Sequence, residues 1–389
     1  MASVLFIEWC NYVDYPTGGH LSFALHMLGA FGNQLKLVGI DTEREHQIGT
    51  WSKKRVNNID YDYFCVGRVE KKDKKPFIPN RITAYLQIRK YISKILKADY
   101  DYIVVQTPEV LLSIPNKYLE KVSLIMPGVE NPMEFSRYKF VRRIANLYNL
   151  FYFKKVSRVS VILPAADNVA IGELLERNKG AIDPLKVKQF PTRYDATIFR
   201  VKNENDIRTR YGIDKDVLLY ITVGRLNWIK GWKFMIDSFC RLNNPNAQLF
   251  FIGDGEDEAQ IKEYLQLCTM KDNIQLLGKK TLDEISDYLN MADAFIMGSY
   301  KEGWSTSLVE AVACACPCVV TDFSSASDMV EDGVNGWVVK NRSEEEFAQR
   351  MKDIVMLDKT DLFEKAQEVS ILSVQNMREQ LILKSGWHL

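Results

Sequence analysis

The 389-residue sequence is poor in features that mark specialised protein classes. No run approaches the roughly 20 apolar residues that a membrane-spanning helix needs. The first Lys or Arg is Lys36, so the positive n-region of a secretory signal is missing although residues 1–10 are apolar. Seven cysteines stand at irregular spacing (10, 65, 240, 268, 314, 316 and 318), which predicts reduced thiols in the cytoplasm and not a disulfide framework. Histidines number four, and no Ser-His-Asp set or metal-ligand cluster stands out. Cys314-Ala315-Cys316-Pro317-Cys318 lacks C-x-x-C spacing and reads as buried thiols at a helix-to-strand junction. No RNA-binding signature or helix-turn-helix is visible, so nucleic acid is not an expected partner.

What is present is ordinary for a globular chain: 47% hydrophobic and 26% charged residues, with 21 Gly. The length predicts two domains. Net charge is +1, but it is unevenly shared. Residues 1–195 hold 29 Lys+Arg against 20 Asp+Glu, and residues 196–389 hold 22 against 30. The basic half is suited to something anionic, or charge simply segregates between domains.

Short apolar runs alternate with helical patterns, the signature of parallel α/β architecture. In the first half, strands are predicted at Val4–Ile7, 101–105 and 123–126, with a Pro16-Thr17-Gly18-Gly19 turn and a helix over 22–31. In the second half the series is strand 217–223, helix 232–242, strand 249–252, helix 258–267, strand 274–277, helix 283–291, strand 294–297, helix 306–314 and strand 318–321. The stretch 188–205 has no clear period and carries Pro191. The predicted domains are therefore 1–195 and 196–369, with a terminal helix about 370–389 that can pack back on the first. Ligands of open α/β sheets bind beyond the carboxyl ends of strands, which places the loops at a cleft.

Three segments carry the chemistry. Gly224-Arg225-Leu226-Asn227-Trp228-Ile229-Lys230-Gly231 follows a strand and brings a planar fork and a point charge, a pair suited to a diphosphate. Glu302-Gly303-Trp304-Ser305-Thr306-Ser307-Leu308-Val309-Glu310 sets one carboxylate in a loop and one in the following helix. Ser305 or Thr306 is its N-cap. The helix start favours anions, and at most about 12 Å along the axis separates the two carboxylates, room for an elongated ligand. That is too far for the carboxylate pair of a retaining glycosidase, about 5–5.5 Å. Gly18-Gly19-His20 lets backbone approach a phosphate or sugar, but does not fit G-x-G-x-x-G. Bland alternatives stand beside each: solvated cations, a capped helix, a plain turn.

Gly224-Arg225, Lys230-Gly231, Gly253-Asp254-Gly255, Gly278, Ala292-Asp293, Glu302-Gly303, Glu310-Ala311 and Pro317 together resemble the glycosyltransferase group 1 family, specifically over about 218–340 and more weakly over 1–195. The resemblance implies the GT-B fold, two Rossmann-like domains facing across a cleft. It also implies retaining transfer of a sugar from a nucleotide-sugar donor to a saccharide or lipid-linked acceptor. By the same resemblance Arg225 and Lys230 grip the donor diphosphate, Glu302 contacts sugar hydroxyls and Glu310 holds the ribose. Gly224, Gly253 and the backbone around Gly303, Trp304, Ser305, Thr306, Ser307 and Leu308 meet the donor, Lys279, Lys280 and Leu282 frame the base, and Gly18 and Gly19 cap the donor from the other domain. No metal or other cofactor is expected.

This sequence departs from the family pattern at three places. Pro127-Gly128-Val129-Glu130-Asn131 lacks a donor-contacting His, Ala315 replaces a usual Gly, and Thr192-Arg193 replaces an interdomain Asn-Gly. Two other readings share the scaffold, a nucleotide-sugar epimerase and a non-catalytic nucleotide-sugar binder. Asp60-Tyr61-Asp62 and Asp99-Tyr100-Asp101 read as strand-entry residues and not as metal-binding D-x-D. Arg137–Arg158 holds seven basic residues, six aromatics and no acid, and Val66–Lys97 adds ten basic residues. Both suit peripheral attachment to the anionic inner face of a membrane, or a helix with its aromatics turned to the core.

Overall fold

The computed structural model describes residues 3–16, 18–71, 80–129, 145–178 and 180–388. It divides into two compact units, Met1–Pro191 with Val374–Leu389, and Thr192–Ser373. Among the described residues no helix is long and apolar enough to cross a membrane.

The first unit is built on β1 (Val4–Ile7), β2 (Leu35–Asp41), β3 (Trp51–Val56), β4 (Ile59–Arg68), β5 (Tyr102–Val105), β6 (Val122–Met126) and β7 (Val161–Pro164). Their order is β3-β4-β2-β1-β5-β6-β7, and every pairing is parallel except the β3–β4 hairpin. Asn57 and Asn58 turn that hairpin at φ +49° and +63°, the left-handed backbone that two-residue loops favour. Helices are α1 (Gly19–Phe31), α2 (Asn80–Ile95), α3 (Pro108–Ser113), α4 (Ala145–Val156) and α5 (Asn168–Arg177). α1 starts three residues earlier than the sequence predicts, because the Gly18 carbonyl accepts from the amides of Leu21 and Ser22 and draws Gly19 into the first turn.

Helix α6 (Glu204–Tyr211) opens the second unit's helices. Then come β8 (Leu218–Val223), α7 (Trp232–Leu242), β9 (Ala247–Ile252), α8 (Glu258–Leu265), β10 (Ile274–Gly278) and α9 (Leu282–Met291). The unit closes with β11 (Ala294–Met297), α10 (Thr306–Ala313), β12 (Cys318–Thr321), β13 (Gly336–Val339), α11 (Glu344–Asp353) and α12 (Lys359–Glu368). The sheet is wholly parallel, in the order β10-β9-β8-β11-β12-β13. Both faces are covered, which is why its strands read as unbroken apolar runs. Leu219 and Ile221 of β8 pack with Leu308 and Val312 of α10, while Tyr220 between them packs with Phe239 of α7 and Phe347 of α11.

The last helix, α13 (Val374–Ser385), belongs to the first unit although it ends the sequence. Met377, Leu381 and Trp387 are buried with Leu28 and Phe31 of α1. The Trp387 ring stacks on Tyr102 at 4.8 Å, and its indole N–H donates to Ser123 at 3.2 Å.

Candidate active site

Strand order reverses in the second unit between β8 and β11. The carboxyl ends at such a switch point diverge and leave a crevice for ligand. The turn after β8 carries Gly224, Arg225 and Lys230, and the loop after β11 carries Ser299, Glu302 and Gly303.

Glycines fix how closely these segments approach. Gly231 has φ +69°, and a Cβ there would lie 1.8 Å from the Gly298 carbonyl oxygen. Backbone therefore packs on backbone, and Lys230 is set against the β11 loop. Its Nζ donates to Glu302 Oε1 at 2.6 Å, and Ser299 Oγ donates to the same oxygen at 2.6 Å. Gly253 plays a matching part after β9, since a Cβ there would meet the Gly224 carbonyl oxygen at 2.0 Å. Arg225 is exposed and shares a cleft with Gly224, Lys230 and Ser299.

Helix α10 begins beside this loop. Ser305 is its N-cap and accepts from the Leu308 amide at 3.3 Å, and Thr306 Oγ1 lies 2.9 Å from Thr192 Oγ1. Among the described residues no protein group accepts from the amides of Thr306 and Ser307, so they stand available to an anion. Trp304 lies just ahead of the N-cap, its buried indole N–H without an acceptor among the described residues. Glu310, on the second turn, is half-buried, and desolvation pushes its carboxyl up to about 8.

Structure thus brings Lys230 and Glu302 together, lines the same cleft with Arg225, and sets Ser305 to Leu308 at a helix start. It does not join Glu310 to the other three by any hydrogen bond among the described residues. Lys279 pairs with Asp254 at 3.0 Å and Lys280 with Glu284 at 3.7 Å, and Leu282 is exposed behind the Thr281 cap. Gly18 and Gly19 stand in the first unit, Gly18 with φ +125° as the N-cap of α1, and a Cβ at Gly19 would meet no heavy atom within 4 Å.

Sequence reading missed two supports. Ser299 anchors Glu302, and Arg342 donates to the carbonyls of Ser299 and Gly298 at 2.8 and 2.7 Å, with its guanidinium 3.7 Å from the Tyr300 ring centre. Ser299 follows a four-residue apolar strand, which was the available signal; Arg342 lies in no motif.

The paired aspartates and the clustered cysteines lie within or beside regular elements. Asp62 lies inside β4 and pairs with Lys53 at 2.7 Å, while Asp101 accepts from the Ser3 amide at 2.8 Å just ahead of β5. Desolvation pushes the buried Cys314 thiol up to about 12. Of Arg137–Arg158, residues 137–144 lie outside the described residues, as do 72–79 of the second basic stretch. In the described part Tyr152 is buried, and Lys155 turns inward to donate to the carbonyls of Leu112 (2.8 Å) and Ile114.

Comparison with known proteins bears on the family and the fold. Residues 203–369 match the family described as Glycosyl transferases group 1. An Escherichia coli relative, UDP-Gal:alpha-D-GlcNAc-diphosphoundecaprenol alpha-1,3-galactosyltransferase, is 23% identical over 219 residues, 53% of each chain. Matches to the first curated relatives span about half of their length or less. Among solved structures, the sucrose-phosphate synthase of Thermosynechococcus elongatus superposes with TM-score 0.76 at 13% identity, covering 98% of this chain and 97% of that one. Anabaena HepE in complex with UDP-glucose gives TM-score 0.71 at 15% identity, covering 99% and 100%. The fold is GT-B, and the resemblance to group 1 glycosyltransferases read from the sequence is recognised by the family match as well.

Proposed function

We propose that this chain, whose second unit carries the group 1 glycosyltransferase domain, moves a sugar from a nucleoside-diphosphate donor to a saccharide or lipid-linked acceptor, with retention, in polysaccharide or glycolipid synthesis. The observation that carries the reading is the contact of Lys230 with Glu302 at the switch point, 2.6 Å, next to the open amides of α10. In this reading Arg225, Lys230 and the Thr306 and Ser307 amides hold the diphosphate and spread its charge as it leaves. Such preorganised charge acts where bulk water would otherwise have to reorganise. Glu302, held by Ser299 and Lys230, takes the sugar hydroxyls. Glu310 takes the ribose hydroxyls, and the loop from Lys279 to Leu282 borders the base.

Two cations and a helix start supply the charge that the leaving diphosphate needs, so the proposed reaction requires no metal. The sugar bond breaks on the face where the acceptor oxygen attacks, and the departing phosphate takes the acceptor proton. Positioning then does most of the catalysis. Uridine is the first base to test, since HepE is known in complex with UDP-glucose.

A thermal-shift panel of nucleoside diphosphates and their sugars tests the reading. A diphosphate at 100 times its dissociation constant stabilises by about 2.7 kcal/mol. One base should stand out, and its sugar conjugate should yield free nucleoside diphosphate only when an acceptor is added. Release of an altered sugar still bound to nucleotide, or no response to any diphosphate, would overturn it.

A further inference from the structure

Cys10, Cys65, Cys314, Cys316 and Cys318 are buried, whereas Cys240 and Cys268 are partly exposed. These two meet across neighbouring helices of the second unit, and topology brings them together. α7 and α8 each return between parallel strands, so they run side by side in the same direction. Tyr264 of α8 marks their contact. Its hydroxyl donates to Asp237 of α7 at 2.6 Å, and its ring lies 4.7 Å from Lys233 Nζ and 5.7 Å from the Trp232 ring. Cys240 stands one turn beyond Asp237, and Cys268 one turn beyond Tyr264. Cys268 Sγ donates to the Tyr264 carbonyl at 3.5 Å, and its thiol is hydrogen-bonded to that of Cys240. Both cysteines pack against the apolar layer that holds Phe239, Leu242, Ile261 and Leu265.

The couple lies away from the site after β8. α7 starts at that site with Trp232, and Cys240 is about 12 Å further along its axis, toward the amino ends of the strands. What the chain carries between the two cysteines does reach the site. Residues 241–267 include β9 and the Gly253-Asp254-Gly255 turn. A Cβ at Gly255 would lie 2.1 Å from the Leu226 carbonyl oxygen, and Asp257 accepts from the Trp232 indole at 2.9 Å. A covalent link between Cys240 and Cys268 would therefore close a loop around the segment on which the Arg225 turn rests.

Burial and the neighbouring Cys240 push the Cys268 thiol up to about 11, against the pull of the Lys233 charge. Without an oxidant the couple stays reduced. Both sulfurs are within reach of a small oxidant, and each is the other's nearest means of resolving the product.

We propose that Cys240 and Cys268 are a redox-modification site, a dithiol that a peroxide converts into a disulfide stapling α7 to the end of α8. One sulfur attacks a peroxide oxygen, the O–O bond breaks, and a sulfenic acid forms as water leaves. The second sulfur attacks the first, the S–O bond breaks, and a second water carries off the remaining thiol proton. The two sulfurs give up two electrons, which the two peroxide oxygens take. The cross-link restricts the unfolded chain and so stabilises the second unit. None of this depends on the function proposed above.

The test treats the full chain with hydrogen peroxide, alkylates the remaining thiols after denaturation, and maps the peptides by mass spectrometry. The chain should lose two hydrogens, with Cys240 joined to Cys268 and the other five cysteines alkylated. Its melting temperature should rise by about 5 °C or more and return when dithiothreitol is added. Cys240→Ser and Cys268→Ser should each lose both the link and the redox-dependent shift. The proposal is overturned if peroxide leaves both thiols free, or takes either to a sulfinic acid with no link. Joining of either to another cysteine or to a second chain overturns it too, as does a link that leaves the melting temperature unmoved. The parent chain decides the matter even where a variant fails to fold.

Discussion

Lys230 Nζ and Glu302 Oε1 lie 2.6 Å apart, tying the turn after β8 to the loop after β11. Glu302 is held twice through this one oxygen, by Lys230 and by Ser299, while its second oxygen makes no hydrogen bond among the described residues. A diphosphate gripped by Lys230 therefore competes with Glu302 for the same ammonium. Lys230→Ala should weaken diphosphate binding by about 10–100-fold, the loss of one charge-assisted contact of roughly 1.5–3 kcal/mol. Titration calorimetry showing parental affinity would refute the assignment.

Glu302→Gln should separate binding from turnover. Removing the carboxylate frees Lys230, so diphosphate affinity should hold or rise. Sugar transfer should fall by about 100-fold or more, the scale on which a preorganised transition-state contact acts. Equal losses in affinity and rate would mean that Glu302 serves only to position Lys230.

Glu310 makes stability depend on pH. Folded, its carboxyl keeps a proton up to about pH 8 because of desolvation, whereas the unfolded chain loses it near 4.5. Across that window the unfolded state is the one that ionises more easily, so this group's contribution falls as pH rises from about 4.5 to 8 and is level above. Glu310→Gln lacks the effect. Its melting temperature relative to the parent should climb between pH 5 and pH 8, and an equal offset at both would contradict the account. The same variant should weaken nucleoside diphosphate binding.

Gly231→Ala should destroy the site through backbone alone. The added Cβ has φ +69° and the Gly298 carbonyl to contend with. The expected loss is more than about 2 kcal/mol of stability, with diphosphate binding abolished in whatever stays folded. Parental denaturant midpoint and affinity would show that the two backbones can part at no cost.

Ala315 offers the opposite case. It occupies left-handed backbone, φ +56°, between α10 and β12. Side chains pay about 1–2 kcal/mol for that conformation, and a glycine's extra freedom when unfolded returns part of it. Ala315→Gly should gain about 0.5–1 kcal/mol in urea denaturation, and a loss would argue against the strain.

Much of the fold could be read from the chain because both sheets are covered on two faces. Val4–Ile7, Ala294–Met297 and Cys318–Thr321 are apolar throughout and announce themselves. β3 does not: it is an edge strand carrying exposed Lys53 and Arg55, so its pattern resembles a loop. Lys230 and Glu302 were legible as parts of spaced motifs. Ser299 and Arg342 were not, since what they do depends on carbonyls presented by the β11 loop.

The placement of α13 sets the order in which the molecule can be completed. The surface of α1 that Met377 and Leu381 cover is made early, yet its covering is synthesised only after the whole of the second unit. At about 5–20 residues per second, the ribosome spends roughly 10–40 s on residues 192–373 before that helix exists. During that interval the nascent first half carries an unsealed apolar seam around Leu28 and Phe31.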